Sequence, residues 1–346
     1  MNFRECYEKN GIILMEGAVG ERLKREYSIY PDNWVALAGH IYQEKARKAM
    51  KTIYGQYMDI GLRYGCPMLL TTPTRRANRY QVGLSPYDED IIKDNLELLK
   101  ELRTEIITGK AAGETDLKPV SLAGAAIEEN RSVDHIFIGG LMGCQGDAYT
   151  GLGSLDTSEA YEFHSWQAEL FAKAQADFLY AGIMPSLPEA VGMARAMEDT
   201  GLPYIISFMI RDTGRLIDGT TITKAIETID GVVSKKPLCY MTNCVHPVIL
   251  GKALAHSFNQ TQAVKERFAG IQANASPMSP EELESGGEIL VSDSRELAED
   301  MLNLHREFNL KILGGCCGTD HIYMEEIAKR VSDKRNRAFT SSKNTI

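Results

Sequence analysis

The 346-residue chain is 44% hydrophobic and 25% charged, ordinary globular usage with material for one large α/β domain or two smaller ones. A formal net charge of −9, with no Lys/Arg cluster interleaved with aromatics, argues against a nucleic-acid partner. No run approaches the roughly 20 apolar residues of a membrane span, the opening MNFRECYEKN has no apolar signal core, and an odd count of seven cysteines does not read as a disulfide framework. A cytoplasmic protein with reduced thiols is expected.

Along the chain, short apolar runs alternate with segments of helical period. The runs are 11–16, 66–72, 135–140, 176–183, 202–210, 236–244, 268–275 and 309–315. Helical period falls at 39–64, 86–110, 157–175, 186–201 and 221–231. The runs are continuous rather than alternating, as strands buried on both faces require. Strands alternating with helices predict a parallel sheet, and eight such units favour a closed (β/α)8 TIM barrel over a doubly wound sheet. The apolar PVSLAGA at 119–125 competes with 135–140 for the third strand, and the Pro/Gly-rich 275–288 reads as a surface loop. Residues 1–334 are expected to form a single barrel, followed by a frayed polar tail at 335–346. No internal repeat is visible.

Active sites of such barrels lie at the C-terminal ends of the strands, so chemically useful residues should follow the apolar runs. Glu16-Gly17 ends the first run, Thr72-Pro73-Thr74-Arg75-Arg76 the second, Gly140 to Asp147 the third, Asn243-Cys244 the sixth and Gly314 to Cys317 the eighth. A barrel brings the sixth and eighth strands to one rim, where Cys244, Cys316 and Cys317 could meet. Three protein ligands with an open fourth position describe a catalytic zinc site, and thiolates select zinc over calcium or magnesium. Two other readings stand beside it. Free cysteine is among the most buried residue types and packs as a small apolar group. The Cys316-Cys317 pair could be a redox site, although a disulfide between neighbours is geometrically awkward.

GGCCG followed by HIYMEEIA resembles the signature of the homocysteine S-methyltransferase family, and four further stretches are similar to its motifs in family order: EGAVGERL (16–23), TPTRRAN (72–78), IMPSLPEA (183–190) and TNCVHP (242–247). The resemblance runs from residue 12 to about 330. It implies a zinc-dependent (β/α)8 barrel with Cys244, Cys316 and Cys317 as ligands. The metal would activate a thiol, homocysteine by default, for attack on an activated methyl donor to give methionine. Glu16 stands where the family has Asp, and with Thr72, Thr74, Arg75, Arg76 and His246 is a candidate for substrate binding. Gly182 stands where the family has Glu, so one of two acids that help bind the homocysteine amino group is missing. Arg75 and Arg76 replace aromatic or neutral residues and could grip a carboxylate, sulfonate or phosphate. Together these departures raise corrinoid- or folate-linked methyl transfer to a different, anionic thiol, or a catalytically altered zinc-binding protein, as alternatives. Asp147 and Tyr149 are expected on the donor side, and His164 in packing. The expected partners are a small thiol and a methyl donor, with a second copy of the chain or a corrinoid protein as further ones.

Overall fold

In the computed structural model, which describes residues 1–108, 135–278 and 291–343, the eight apolar runs become eight parallel strands: β1 Ile13–Met15, β2 Met68–Thr71, β3 Ile136–Gly143, β4 Phe178–Met184, β5 Tyr204–Phe208, β6 Cys239–Val245, β7 Phe268–Ala273 and β8 Ile312–Gly315. They pair in chain order, and β1 closes on β8 through Ile13 opposite Ile312. The third strand is the 135–140 run, extended to Gly143, and Met68 of β2 pairs directly with its Ile136. PVSLAGA lies outside the described residues, as do residues 279–288 of the expected loop.

Alternation along the strands sends one set of side chains inward and the other against the helices. The inward set, including Ile13, Met15, Leu69, Phe137, Phe178, Ile205, Met241 and Ile312, fills the barrel, which is therefore a packed core. A short first helix, α1 (Phe3–Lys9), closes the N-terminal end by burying Phe3 and Cys6 against Phe137 and Phe178. Asn2 caps it by accepting from the Glu5 amide at 2.9 Å.

The outer ring is α2 (Gly20–Tyr27), α3 (Glu44–Tyr64), α4 (Arg79–Leu84), α5 (Asp90–Ile107), α6 (Thr157–Lys173), α7 (Leu187–Asp199), α8 (Ile222–Val232), α9 (Pro247–Ala255), α10 (Gln262–Arg267), α11 (Ser294–Phe308) and α12 (His321–Lys343). The last helix continues past residue 334 to Lys343, into the segment expected to be a polar tail. Among the described residues no helix is long and apolar enough to cross a membrane.

Towards the C-terminal end of the barrel the inward layer turns polar. Tyr180, Ser207, Asn243 and Gln272 are buried there and bond to one another: Tyr180 donates to Gln272 Oε1 at 2.7 Å, and Ser207 to Asn243 Oδ1 at 2.5 Å. A satisfied polar layer of this kind forms a floor for a cleft rather than more core.

Candidate thiol-lined active site

Three cysteines meet on this floor. Their sulfur atoms all lie within 4.8 Å of one another, with Cys244 Sγ 2.7 Å from Cys316 Sγ, and all three thiols are free. Cys244 sits in the left-handed region at φ 59°, where the β6–β7 register shifts between Asn243 and Val245. Such an irregularity re-aims a side chain at a strand end. The Asn243 amide accepts from the Ile183 N–H at 3.0 Å and so braces this bend against a second one, since Ile183 is itself left-handed at φ 50°.

The Cys316-Cys317 turn is held from several sides. Cys316 N–H donates to Ala273 O at 2.7 Å, Thr319 Oγ1 donates to Cys316 O at 2.7 Å, and Gly318 N–H donates to Glu21 Oε2 at 2.5 Å. Gly318 has φ +79°, a conformation that only glycine adopts freely, and it lets adjacent side chains follow a tight bend. Asn274, just past β7, joins the two cysteine-bearing segments. Its Nδ2 donates to Cys244 O at 3.0 Å and its Oδ1 accepts from Cys317 N–H at 3.2 Å.

The three thiols are electrostatically coupled. Hydrogen bonds from Cys316 and Cys317 hold the Cys244 thiol well below its ordinary range, with smaller help from Tyr149 and the charge of Arg75. The bond to Cys244 pushes Cys316 well up, and the same contact raises Cys317 to about 12. The cluster thus favours one thiolate hydrogen-bonded by two thiols. Holding three thiolates together requires a positive ion among them. Tetrahedral zinc, with sulfur at about 2.3 Å, separates its sulfur ligands by roughly 3.8 Å, a spacing within the span of these three atoms. The donor set therefore fits zinc.

The thiols open into a cleft of about 290 Å³ lined also by Glu16, Glu21, Leu37, Tyr54, Thr71, Thr72, Arg75, Leu141, Tyr149, Tyr180, Gly182, Ile183, Asn243 and Gln272. Glu16 is buried. Its Oε1 accepts from Thr71 Oγ1 at 2.5 Å and Thr71 N–H at 3.1 Å, while Oε2 has no partner. Burial raises its carboxyl to about 7, against the Thr71 hydrogen bonds, which pull the other way. Gly182 faces the same space, with Leu141 and Tyr180 nearest to where its side chain would begin.

The remaining sequence candidates divide. Thr72 lines the cleft and shares a hydrogen bond with Thr74, 2.7 Å between hydroxyls. Thr74 lies beneath it, donating to Leu141 O at 2.8 Å. Both arginines are exposed; Arg75 lines the cleft and Arg76 does not. His246 lies outside the cleft. It caps α9, accepting from Val248 N–H at 3.3 Å, with Nε2 3.1 Å from Ser292 Oγ, and burial lowers its pKa to about 4. Cys144 is not in the cluster; its thiol contacts Gly146 O at 3.5 Å and burial pushes it up to about 12.

Tyr149 arrives on the loop after β3, and its phenol is held protonated chiefly by the negative charge on Cys244. That loop is anchored by the fully buried Glu189, which accepts from Gln145 N–H at 2.7 Å and sits 3.2 Å from His164 Nε2. His164 is thus in packing, as expected, but in a polar role. Thr71, Tyr180, Gln272 and Glu21 line the cleft and Asn274 braces it, although none is among the sequence candidates. Asn274 had the same signal as the others, a polar residue at a strand end, but lay inside an apolar run drawn to 275.

The homocysteine S-methyltransferase family model matches residues 13–331. The chain belongs to this family. It is therefore an S-methyltransferase, in a family named for homocysteine as acceptor. Among solved structures, the homocysteine methyltransferase MmuM from Escherichia coli in its metallated form is 19% identical, with a TM-score of 0.69 over 94% of this chain and 99% of that one. The oxidized form of MmuM is 18% identical, with a TM-score of 0.69 over 93% and 97%. These likenesses concern the barrel fold. No curated protein sequence matches the chain. In this member of the family the three cysteines occupy the strand ends at which a barrel does its chemistry.

Proposed function

We propose that the protein transfers a methyl group from an activated donor to a small thiol, with homocysteine as acceptor and methionine as product, at a zinc held by Cys244, Cys316 and Cys317. The observation that carries this reading is the convergence of three thiols from two strand ends in the cleft of a chain of this family. Bound there, zinc offers an open position at which a thiol is held deprotonated at neutral pH.

The chain's own residues supply placement. The free Oε2 of Glu16 is the acceptor that an ammonium group would meet, and it is charged only above about 7. Thr72 offers a hydroxyl on the same wall. Leu141, Tyr180 and Ile183 line the cleft with apolar surface, which limits water around the reacting sulfur. In the transfer, a sulfur lone pair forms the new S–C bond as the bond from methyl carbon to donor breaks. The donor leaves with the bonding pair, and the thiol proton has already gone to solvent. Little covalent work falls to the protein; holding sulfur and methyl carbon in line at roughly 3–3.5 Å supplies most of the rate. Seven cysteines, none of them in a disulfide, fit a reducing compartment such as the cytoplasm.

The test is methyl transfer to homocysteine by zinc-loaded protein, with sulfonium, betaine and methylcorrinoid donors assayed in turn. Methionine should form with one of them, and Cys244→Ser, Cys316→Ser and Cys317→Ser should each lose both zinc and turnover. Full turnover in any of the three variants, or in metal-free protein, would overturn the reading.

A further inference from the structure

Arg75 stands out in the charge inventory of the cleft. No other lysine or arginine among the described residues lines it. Both acids there already accept hydrogen bonds, Glu16 from Thr71 and Glu21 from the Gly318 amide. Arg75 makes no ion pair with any described residue.

Its position is built rather than incidental. The two residues flanking its approach, Thr72 and Thr74, are fully buried and bonded to each other. They are also bonded to the β3 backbone: Leu141 N–H donates to Thr72 Oγ1 at 3.2 Å, and Thr74 Oγ1 donates to Leu141 O at 2.8 Å. Gln167 Nε2 fixes the Thr74 carbonyl at 2.9 Å. On this platform the Arg75 stem crosses Gly143. A Cβ at Gly143 would lie 2.4 Å from Arg75 Cγ and 3.3 Å from its Cδ. The absent side chain at Gly143 is therefore the seat of the arginine stem, and it directs the head into the cleft that holds the thiols. An unpaired guanidinium fork beside a reacting sulfur is suited to a planar anion, gripped through two parallel N–H donors.

We infer that Arg75, seated on Gly143, is the specificity residue for the acceptor: it binds an anionic group, a carboxylate in the first instance, carried by the same small molecule whose thiol is methylated. This rests on the thiol-acceptor reading of the cleft. It ranks the acceptor's two polar groups, because the anion meets an otherwise unpaired cation while the ammonium meets acids that already accept hydrogen bonds.

The experiment compares homocysteine with its des-amino analogue mercaptobutyrate and its decarboxylated analogue mercaptopropylamine. Direct calorimetric binding to zinc-loaded protein is measured beside methyl transfer. Wild type should bind mercaptobutyrate more tightly than mercaptopropylamine. Arg75→Gln should weaken the two carboxylate-bearing thiols by roughly tenfold or more and leave mercaptopropylamine alone. Arg75→Lys should fall between. Gly143→Ala, which keeps the charge but removes the seat, should move in the same direction as Arg75→Gln. Arg79→Gln, which removes an exposed charge outside the cleft, should change nothing. Equal wild-type affinity for the two analogues would overturn the inference. So would an Arg75→Gln variant that weakens all three thiols alike, that loosens zinc, or that changes only the KM of the methyl donor. If the binding preference holds but no thiol is methylated, the assignment of Arg75 stands and the catalytic reading falls.

Discussion

Glu16 and Cys244 each carry a cost in the folded protein, and each cost gives a measurable signature. The Glu16 carboxyl is raised to about 7 by burial, from 4.5. Its proton is bound more tightly in the folded state, so this group favours folding below pH 4.5, and that contribution is lost as pH rises towards 7. A shift of this size corresponds to about 3 kcal/mol. Glu16→Gln, neutral throughout, should therefore gain stability relative to wild type as pH rises from 5 to 8. Thermal unfolding at the two values checks this; a difference independent of pH would count against a buried, ionisable Glu16. The same substitution should remove any rise in homocysteine affinity near pH 7, because an ammonium would then lose its charged partner. At Cys244 the cost is in the backbone. A left-handed residue with a Cβ is disfavoured by about 1–2 kcal/mol, so metal-free Cys244→Gly should be more stable than metal-free Cys244→Ala by about 1 kcal/mol. Chemical denaturation decides; if Ala is the more stable, the bend at φ 59° is not strained.

At the scale of elements, the site depends on segments that contribute no ligand. Asn274 ties the Cys244 carbonyl to the Cys317 amide across the end of β7. Partners of this kind, one shell out from a metal, typically change affinity about 10- to 100-fold when removed. Asn274→Ala should loosen zinc by that order in competition with a chelator, and Asn274→Asp, which keeps only the acceptor, should do less harm. Unchanged affinity in both would reduce Asn274 to a loop residue. The strands themselves were legible because each is a continuous apolar run buried on both faces, and the strand-end rule then picked out Glu16, Thr72, Cys244, Cys316 and Cys317. What was not legible is non-local. Which of two adjacent arginines enters the cleft is decided by Gly143, on the neighbouring strand. His246 follows the Cys244 strand end, yet its ring turns to cap α9.

On the scale of the whole molecule, the closed barrel turns residues some seventy apart, Cys244 and Cys316, into a single centre. Its lower end is sealed by α1 and filled with apolar side chains, while its upper layer is polar and carries the cleft. A ligand that binds only this assembled state stabilises the whole fold by mass action. Chelation should therefore lower the unfolding temperature of wild type and leave that of Cys316→Ser unmoved. The central claim is that three sulfurs of the chain hold one zinc which takes a fourth sulfur from the acceptor. X-ray absorption at the zinc edge, before and after addition of homocysteine, tests it most directly. The expected result is one zinc per chain with three sulfurs at about 2.3 Å, rising to four with the thiol. A sulfur count that does not rise, or that falls short of three at the start, would contradict it.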